Sequence, residues 1–288
     1  MLAFLPFPAG TQANFPRSHA PAAVPEALNQ TLYDLGLDYL DLWLMHWPVA
    51  QDPSDGTNTE DFVDTWRAMA ATLVTGKVKH IGICNFSPAQ LKKLIDSTKG
   101  LVKPYNHQFE IHPYLPQEDF VQWHKDHDIH VTAYSPLGNM NPTYSGSSSQ
   151  VSIIEAIGLE TDVPLLLKNH VVTSIAKKRG CTPAQVALSW GIARGVAVIP
   201  KSQHADRIKE NFENTHCELE AEDFESLKSL PVKRFNNPSK GWGVHLFKGL
   251  QDSGAGQSAK MAAGKAYSFW TEYAGAWFAS ARERMGVY

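Results

Sequence analysis

Five times along the chain a short apolar run ends in polar and aromatic residues and gives way to a stretch with helical spacing. The runs cover 40–46, closing on His46-Trp47; 78–86, with Cys84-Asn85; 106–114, with Gln108 and Glu110; 129–138, with Tyr134 and Ser135; and 196–202, closing on Lys201-Ser202. Strands that alternate with helices run parallel to their neighbours, because each crossover returns the chain to the same end of the sheet. All five strand ends then share one rim. A (β/α)8 barrel builds its active site on that rim. A doubly wound sheet shows the same alternation, but it normally brings a glycine-rich phosphate turn after its first strand. No GxGxxG occurs here. The expected fold is therefore α/β, of the (β/α)8 TIM-barrel type.

The helices between the runs carry their own signals. Val24, Leu28, Leu32 and Leu35 fall on one helical face, and Gly36 can close that helix. "SPAQLKKLIDST" starts with Ser87-Pro88, an N-cap followed by a first-turn proline. Helical spacing recurs over 61–74, in "QEDFVQWHKDHD", in "SIAKKRG" with "TPAQVALSWGIARG", and from "HADRIKENFE". Residues 1–25 are rich in Pro and Ala and lack a period, with room for one short strand. The segment 139–165 breaks the rhythm. In the tail, Trp270, Tyr273 and Trp277 are spaced like one helix face.

Composition removes several function classes. A net charge of −3 gives no field that would draw the chain to nucleic acid or an anionic membrane. No stretch approaches the roughly 20 apolar residues of a membrane helix. "MLAFLPFP" has no basic residue before its apolar run and is broken by two prolines, unlike a secretory signal. Cys84, Cys181 and Cys217 are sparse and far apart, which suits free thiols in a reducing compartment, so a cytoplasmic location is expected. His124, His127 and His130 lie three apart, but no carboxylate or cysteine completes a ligand set, so no metal is expected.

The strand ends resemble the aldo-keto reductase family. "LGLDYLDLWLMHWPV", "GKVKHIGICNFSPAQL", "NHQFEIHPYLPQ", "VTAYSPLGN", "TPAQVALSW" and "VIPKSQHADRIKEN" match that family's segments in its order, and "RFNNPSKGWGVHLF" resembles the tail of many fungal-type members. The likeness runs from about His19 to Phe247. It implies a metal-free reductase that turns aldehydes and ketones, small carbonyl substrates, into alcohols with NADPH.

The resemblance also implies roles, each of which suits its residue. His46 falls on the catalytic histidine. A neutral imidazole can orient a carbonyl and stabilise charge developing on its oxygen. Trp47 would line the substrate pocket. Asn85 and Gln108 match residues that hold the nicotinamide carboxamide, which needs both an acceptor and a donor. Cys84 stands where the family usually has Ser, and His107 where it usually has Asn. Tyr134 matches the aromatic that stacks on the nicotinamide, with Ser135 and Leu137 beside it in the same cofactor-binding motif. Lys201, Ser202 and Arg207 match residues around the adenosine 2′-phosphate, and Glu210 and Asn211 match the adenine-binding pair.

The five strands correspond to the family's strands four to eight, so an incomplete barrel is expected. The first three strands carry the family's Asp, its proton-donating Tyr and its Lys. They would need about 90 residues at roughly 30 per unit, and 18 residues precede the likeness. The sequence thus divides into an irregular segment 1–18, a partial barrel 19–247 and a linker with a helical tail 248–288. Neither Tyr33, on a predicted helix, nor Tyr114, past a strand, replaces the missing tyrosine. The expectation is a reductase impaired by truncation. The alternative is a catalytically inactive homologue that binds NADP(H) or a protein partner. Exposed barrel edges offer a route to self-association.

Overall fold

The computed structural model describes residues 2–5, 19–50, 60–140, 163–213, 217–239 and 244–250. The tail helix expected around Trp270, and all of 139–165 except 139–140 and 163–165, lie outside them. The elements in chain order are β1 (Leu2–Leu5), α1 (Val24–Leu35), β2 (Leu40–Met45), α2 (Phe62–Thr72), β3 (Val78–Cys84), α3 (Pro88–Ser97) and β4 (Asn106–Glu110). There follow α4 (Glu118–Asp126), β5 (His130–Tyr134), α5 (His170–Arg179), α6 (Pro183–Ala193), β6 (Ala197–Val198), α7 (Ala205–Phe212) and α8 (Ala221–Leu227).

The six strands form one sheet in sequence order, and each neighbouring pair is parallel. Among the described residues β1 and β6 are its edges, so the sheet is an arc of a barrel. The short strand for which the N-terminal segment left room is β1, with Leu2 opposite Leu42 and Leu5 opposite Met45. The C-terminal boundaries differ from the sequence reading. The run 106–114 stops being a strand at Glu110, and His112 bridges back to Leu115 in a tight turn. The run 129–138 is extended only to Tyr134, and 196–202 contributes two ladder residues. In the first two the apolar pattern continues into largely buried loop, which periodicity cannot distinguish from strand, whereas 199–202 after β6 is half-buried or exposed. The helix α8 was not foreseen. Its start is a reciprocal cap between Glu220 and Asp223.

Local chemistry sets the helix ends. Ser87 and Thr182 each form a capping box, with Gln90 and Gln185, and a proline opens each helix. Gly36 closes α1 at φ 63°, a left-handed conformation that costs glycine little.

One face of the sheet is the core. Trp43, Met45, Ile81, Ile83, Phe109, Ile111, Val131 and Ala133 pack in one cluster with Leu28, Leu32, Trp66, Met69, Leu91, Leu94, Phe120 and Trp123 of the helices. The alternate strand positions, such as Leu44, Gly82, Cys84, Gln108 and Glu110, therefore face the lumen. The strands approach closely there. A Cβ on Gly82 would stand 2.4 Å from the Asn106 carbonyl oxygen and 2.5 Å from Leu44 Cδ2. The free-thiol reading needs correction for two cysteines. Cys181, between α5 and α6, and Cys217, before α8, form a disulfide, with Cα atoms 5.5 Å apart, and Cys84 alone is a free, buried thiol. No spacing rule links cysteines 36 residues apart.

Candidate active site

The C-terminal ends of β2, β3, β4 and β5 bring His46, Cys84, Asn85, Gln108, Glu110 and Tyr134 to one rim. The Asn85 side-chain amide donates to the His46 carbonyl at 3.1 Å, which ties β3 to β2 just past both strands. The Asn85 N–H donates to the Gln108 carbonyl at 3.0 Å, which ties β3 to β4. Asn85 and Ser135 have φ of 61° and 48°, left-handed values unusual outside glycine. Such backbone costs on the order of 1–3 kcal/mol and gathers at functional sites. Here it turns both side chains at the rim.

Burial lowers the His46 pKa to about 4, so its imidazole is neutral near pH 7. It can donate one N–H without bringing a full charge into the site. Burial pushes the Cys84 thiol well up, partly offset by a backbone hydrogen bond at Gln108, so it stays protonated. Asn85 Oδ1 and Gln108 Nε2 are both buried without a hydrogen-bond partner. Each such atom costs about 1–3 kcal/mol; others occur in the chain, as at Asn106 Oδ1 and Gln117 Oε1, but these two belong to adjacent strand ends on the rim. One is an acceptor and the other a donor. That is the complement of a primary carboxamide, which offers an N–H and a carbonyl oxygen.

Behind these residues lies a network that the sequence did not reveal. The Phe86 N–H, next to Asn85, donates to His107 Nε2 at 3.1 Å. His107 Nδ1 meets His124 Nε2 at 2.8 Å, and His124 Nδ1 meets the Phe120 carbonyl at 2.6 Å. The two ends fix both tautomers: each Nδ1 carries the proton and each Nε2 accepts. Burial lowers both pKa values, with His124 at about 3, so the pair is neutral. His124 thus has a structural partner. His127 stacks on Trp123 at 4.0 Å, and His130 tilts against Tyr105 at 4.7 Å. Among the described residues no group of three or more His, Cys, Asp or Glu is placed to hold a metal ion.

Trp47 is buried and meets Phe247 edge-on at 6.1 Å, beside Val49 and Leu246. The C-terminal segment therefore makes an apolar wall next to His46. Tyr134 accepts a hydrogen bond from the Asn236 side chain at 3.1 Å, and Leu137 is half-buried beyond it.

The remaining predicted residues lie beyond β6 and are looser. Lys201 and Arg207 are exposed, and Ser202 accepts from the His204 N–H at 3.1 Å. Arg207 stands in the first turn of α7, whose N-terminus has no side-chain cap. Open N–H groups and a guanidinium together favour an anion. Glu210 accepts from the Thr182 hydroxyl at 2.5 Å, which ties α7 to α6, and Asn211 is half-buried beside it. Of the two tyrosines considered as proton donors, Tyr33 is 82% exposed on α1. Tyr114 is buried, with its hydroxyl held by Pro164 and Asn169.

Comparison with known proteins agrees with this geometry. Residues 11–231 match the model of the aldo/keto reductase family. An uncharacterized oxidoreductase of Schizosaccharomyces pombe is 40% identical over 248 residues, 82% of this chain and 71% of the relative. Glycerol 2-dehydrogenase (NADP(+)) of Saccharomyces cerevisiae is 39% identical over 227 residues, 72% of this chain and 65% of the relative. NADPH-dependent D-xylose reductase of Meyerozyma guilliermondii is 36% identical over 239 residues, 76% and 71% respectively. Among solved structures, the aldose reductase from Schistosoma japonicum superimposes with a TM-score of 0.64 at 29% identity, covering 80% of this chain and 71% of that one. The parallel arc of the described residues is accordingly part of a (β/α)8 barrel, and the chain belongs to the aldo/keto reductase family.

Proposed function

We propose that the chain binds NADPH on this rim and reduces small aldehydes or ketones to alcohols. The observation that carries the reading is the complementary pair of unpartnered buried atoms, Asn85 Oδ1 and Gln108 Nε2, beside a neutral His46. They suit the two faces of a nicotinamide carboxamide. The names of the Saccharomyces and Meyerozyma relatives carry NADP(+) or NADPH, which supports the same cofactor here. Bound NADPH would supply the hydride.

The chain's own residues would do the rest. Asn85 and Gln108 fix the carboxamide and so select the ring face presented to substrate. Tyr134 offers a flat face for stacking. Cys84, a protonated thiol, gives a weaker hydrogen bond than the family's usual Ser. Lys201, Ser202 and Arg207 at the α7 N-terminus hold the 2′-phosphate and favour NADPH over NADH, while Glu210 and Asn211 flank the adenine. His46 donates to the substrate carbonyl oxygen, and Trp47 with Phe247 excludes water from it. No residue here matches the proton-donating tyrosine, so we expect slow turnover, with the proton coming from water while the neutral His46 keeps its N–H on the carbonyl oxygen.

The test is aldehyde-dependent oxidation of NADPH by the 288-residue chain. Slow oxidation abolished by His46→Ala supports the reductase. Saturable NADPH binding without oxidation would replace it with a non-catalytic NADP(H)-binding homologue.

A further inference from the structure

We propose that Glu110 is a positioning residue for this reaction: its carboxylate docks residues 233–236 as a strap across the rim, and the strap sets Tyr134 and the Trp47–Phe247 wall in place together. The inference rests on the reductase reading above.

Glu110 ends β4 and is fully buried. One carboxylate oxygen accepts the Phe235 N–H at 2.7 Å and meets His112 Nε2 at 2.9 Å. The other accepts the Asn236 N–H at 2.9 Å, with Arg234 Nη1 at 3.9 Å. Burial alone would raise its pKa. The His112 hydrogen bond, the electrostatic influence of His112 and Arg234, and the Phe235 N–H outweigh burial and hold the carboxyl below its ordinary value. An ionised carboxylate accepts at both oxygens, whereas an amide or a protonated acid has a donor at one of them. The negative charge therefore matches the two strap N–H groups. The Lys233 N–H donates to the Tyr114 carbonyl at 2.7 Å and fastens the strap's other end.

What the strap carries argues for more than stability. The Asn236 side chain donates to the Tyr134 hydroxyl, and Tyr134 stands opposite Glu110 in the β4–β5 register. The Arg234 guanidinium lies 4.0 Å over the Phe247 ring, and Phe247 meets Trp47. Two strap residues on either side of Phe235, Arg234 and Asn236, thus end on two different walls of the site. One carboxylate couples the surface that would stack on nicotinamide to the surface that would face substrate.

Two variants test this. Glu110→Gln places an amide N–H₂ against strap donors and breaks the docking. Asn236→Ala keeps the backbone docking and removes only the Tyr134 bond. Backbone hydrogen exchange over 232–237 is measured without cofactor, NADPH binding by nicotinamide fluorescence, and the adenosine end separately with adenosine 2′,5′-bisphosphate. We expect exchange at Phe235 and Asn236 to quicken about tenfold or more in Glu110→Gln, as one lost buried hydrogen bond implies. Both variants should lose about half or more of the fluorescence enhancement, with bisphosphate affinity unchanged within about twofold. Strap exchange as in the parent chain, or undiminished fluorescence in both variants, overturns the proposal. If Glu110→Gln does not fold, Asn236→Ala decides it by fluorescence. A parent chain that shows no enhancement overturns the reductase reading and this proposal with it; a parent that binds, with variants that match it, overturns this proposal alone.

Discussion

The two halves of the proposed cofactor site are built differently. The nicotinamide half, at the ends of β2 to β5, is buried and cross-linked: Asn85 to the His46 and Gln108 carbonyls, His107 to Phe86 and His124, Glu110 to the strap. The phosphate half follows a strand with only two ladder residues, and it presents Lys201 and Arg207 to solvent. Its described ties are few: the Glu210 carboxylate accepts from the Thr182 hydroxyl, the Glu210 backbone carbonyl from the Gln185 side chain, and the Ser202 hydroxyl from the His204 N–H two residues on. A group that must hold a neutral ring at a set angle needs fixed donors and acceptors before the ligand arrives. A group that must attract a dianion needs charge, which acts through solvent and tolerates motion. The contrast predicts that mutations in the first half cost folding or geometry, and that mutations in the second cost affinity alone.

Glu110→Ala should break the first half most severely. It leaves the Phe235 and Asn236 N–H groups and Arg234 without their anion, and removal of one partner from a buried charged pair costs about 3–5 kcal/mol. Denaturant unfolding would read it; a loss below about 1 kcal/mol, the scale of an exposed pair, would erase the contrast.

Acid should act on the same half. His46, His124 and His107 have lowered pKa values, as does buried His19 at about 4. A base whose folded pKa is depressed stabilises the fold fully above its unfolded value and progressively less as pH falls toward the folded one. Stability should therefore decline from about pH 6.5 downward, by up to about 1.4 kcal/mol per pH unit for each histidine. Glu110, also depressed, contributes above its unfolded value and is lost only below about pH 4.5. A melting temperature that stays flat between those two pH values would contradict neutral buried histidines.

Gln108→Leu should weaken NADPH binding by about 1–3 kcal/mol, the worth of a buried hydrogen bond that loses its donor, and NADH by the same amount. Arg207→Ala should weaken NADPH by about tenfold to a hundredfold, spare NADH, and lose its effect in high salt. Equal losses for both nucleotides on Arg207→Ala would put the phosphate elsewhere. Tyr33→Phe, on an exposed face of α1, should change stability by less than about 0.5 kcal/mol and leave NADPH oxidation as it was.

The sequence made the parallel strands and their rim legible because apolar runs and capped helices are local signals. Ser87-Pro88 and Thr182-Pro183 announce α3 and α6 within a few residues of the features they create. The rim residues could be read from family motifs for the same reason. The strap could not. Phe235 and Asn236 meet Glu110 from 125 and 126 residues away, and no periodicity encodes such a contact. Glu110 itself looked like one polar strand end among several. His107 looked like a family departure and His124 like one of three spaced histidines with no ligand set, because their pairing requires α4 to lie against β4. The strand ends were placed too late in 106–114 and 129–138, where buried loop continues the apolar pattern.

The central claim is that the described rim forms a working nicotinamide site in the chain as it stands. The most direct measurement is titration of the 288-residue chain with NADPH, and in parallel with NADH, followed by nicotinamide fluorescence. A working site gives a saturable enhancement with both, tighter for NADPH. No enhancement from either nucleotide, in a chain that is soluble and compact, would contradict it.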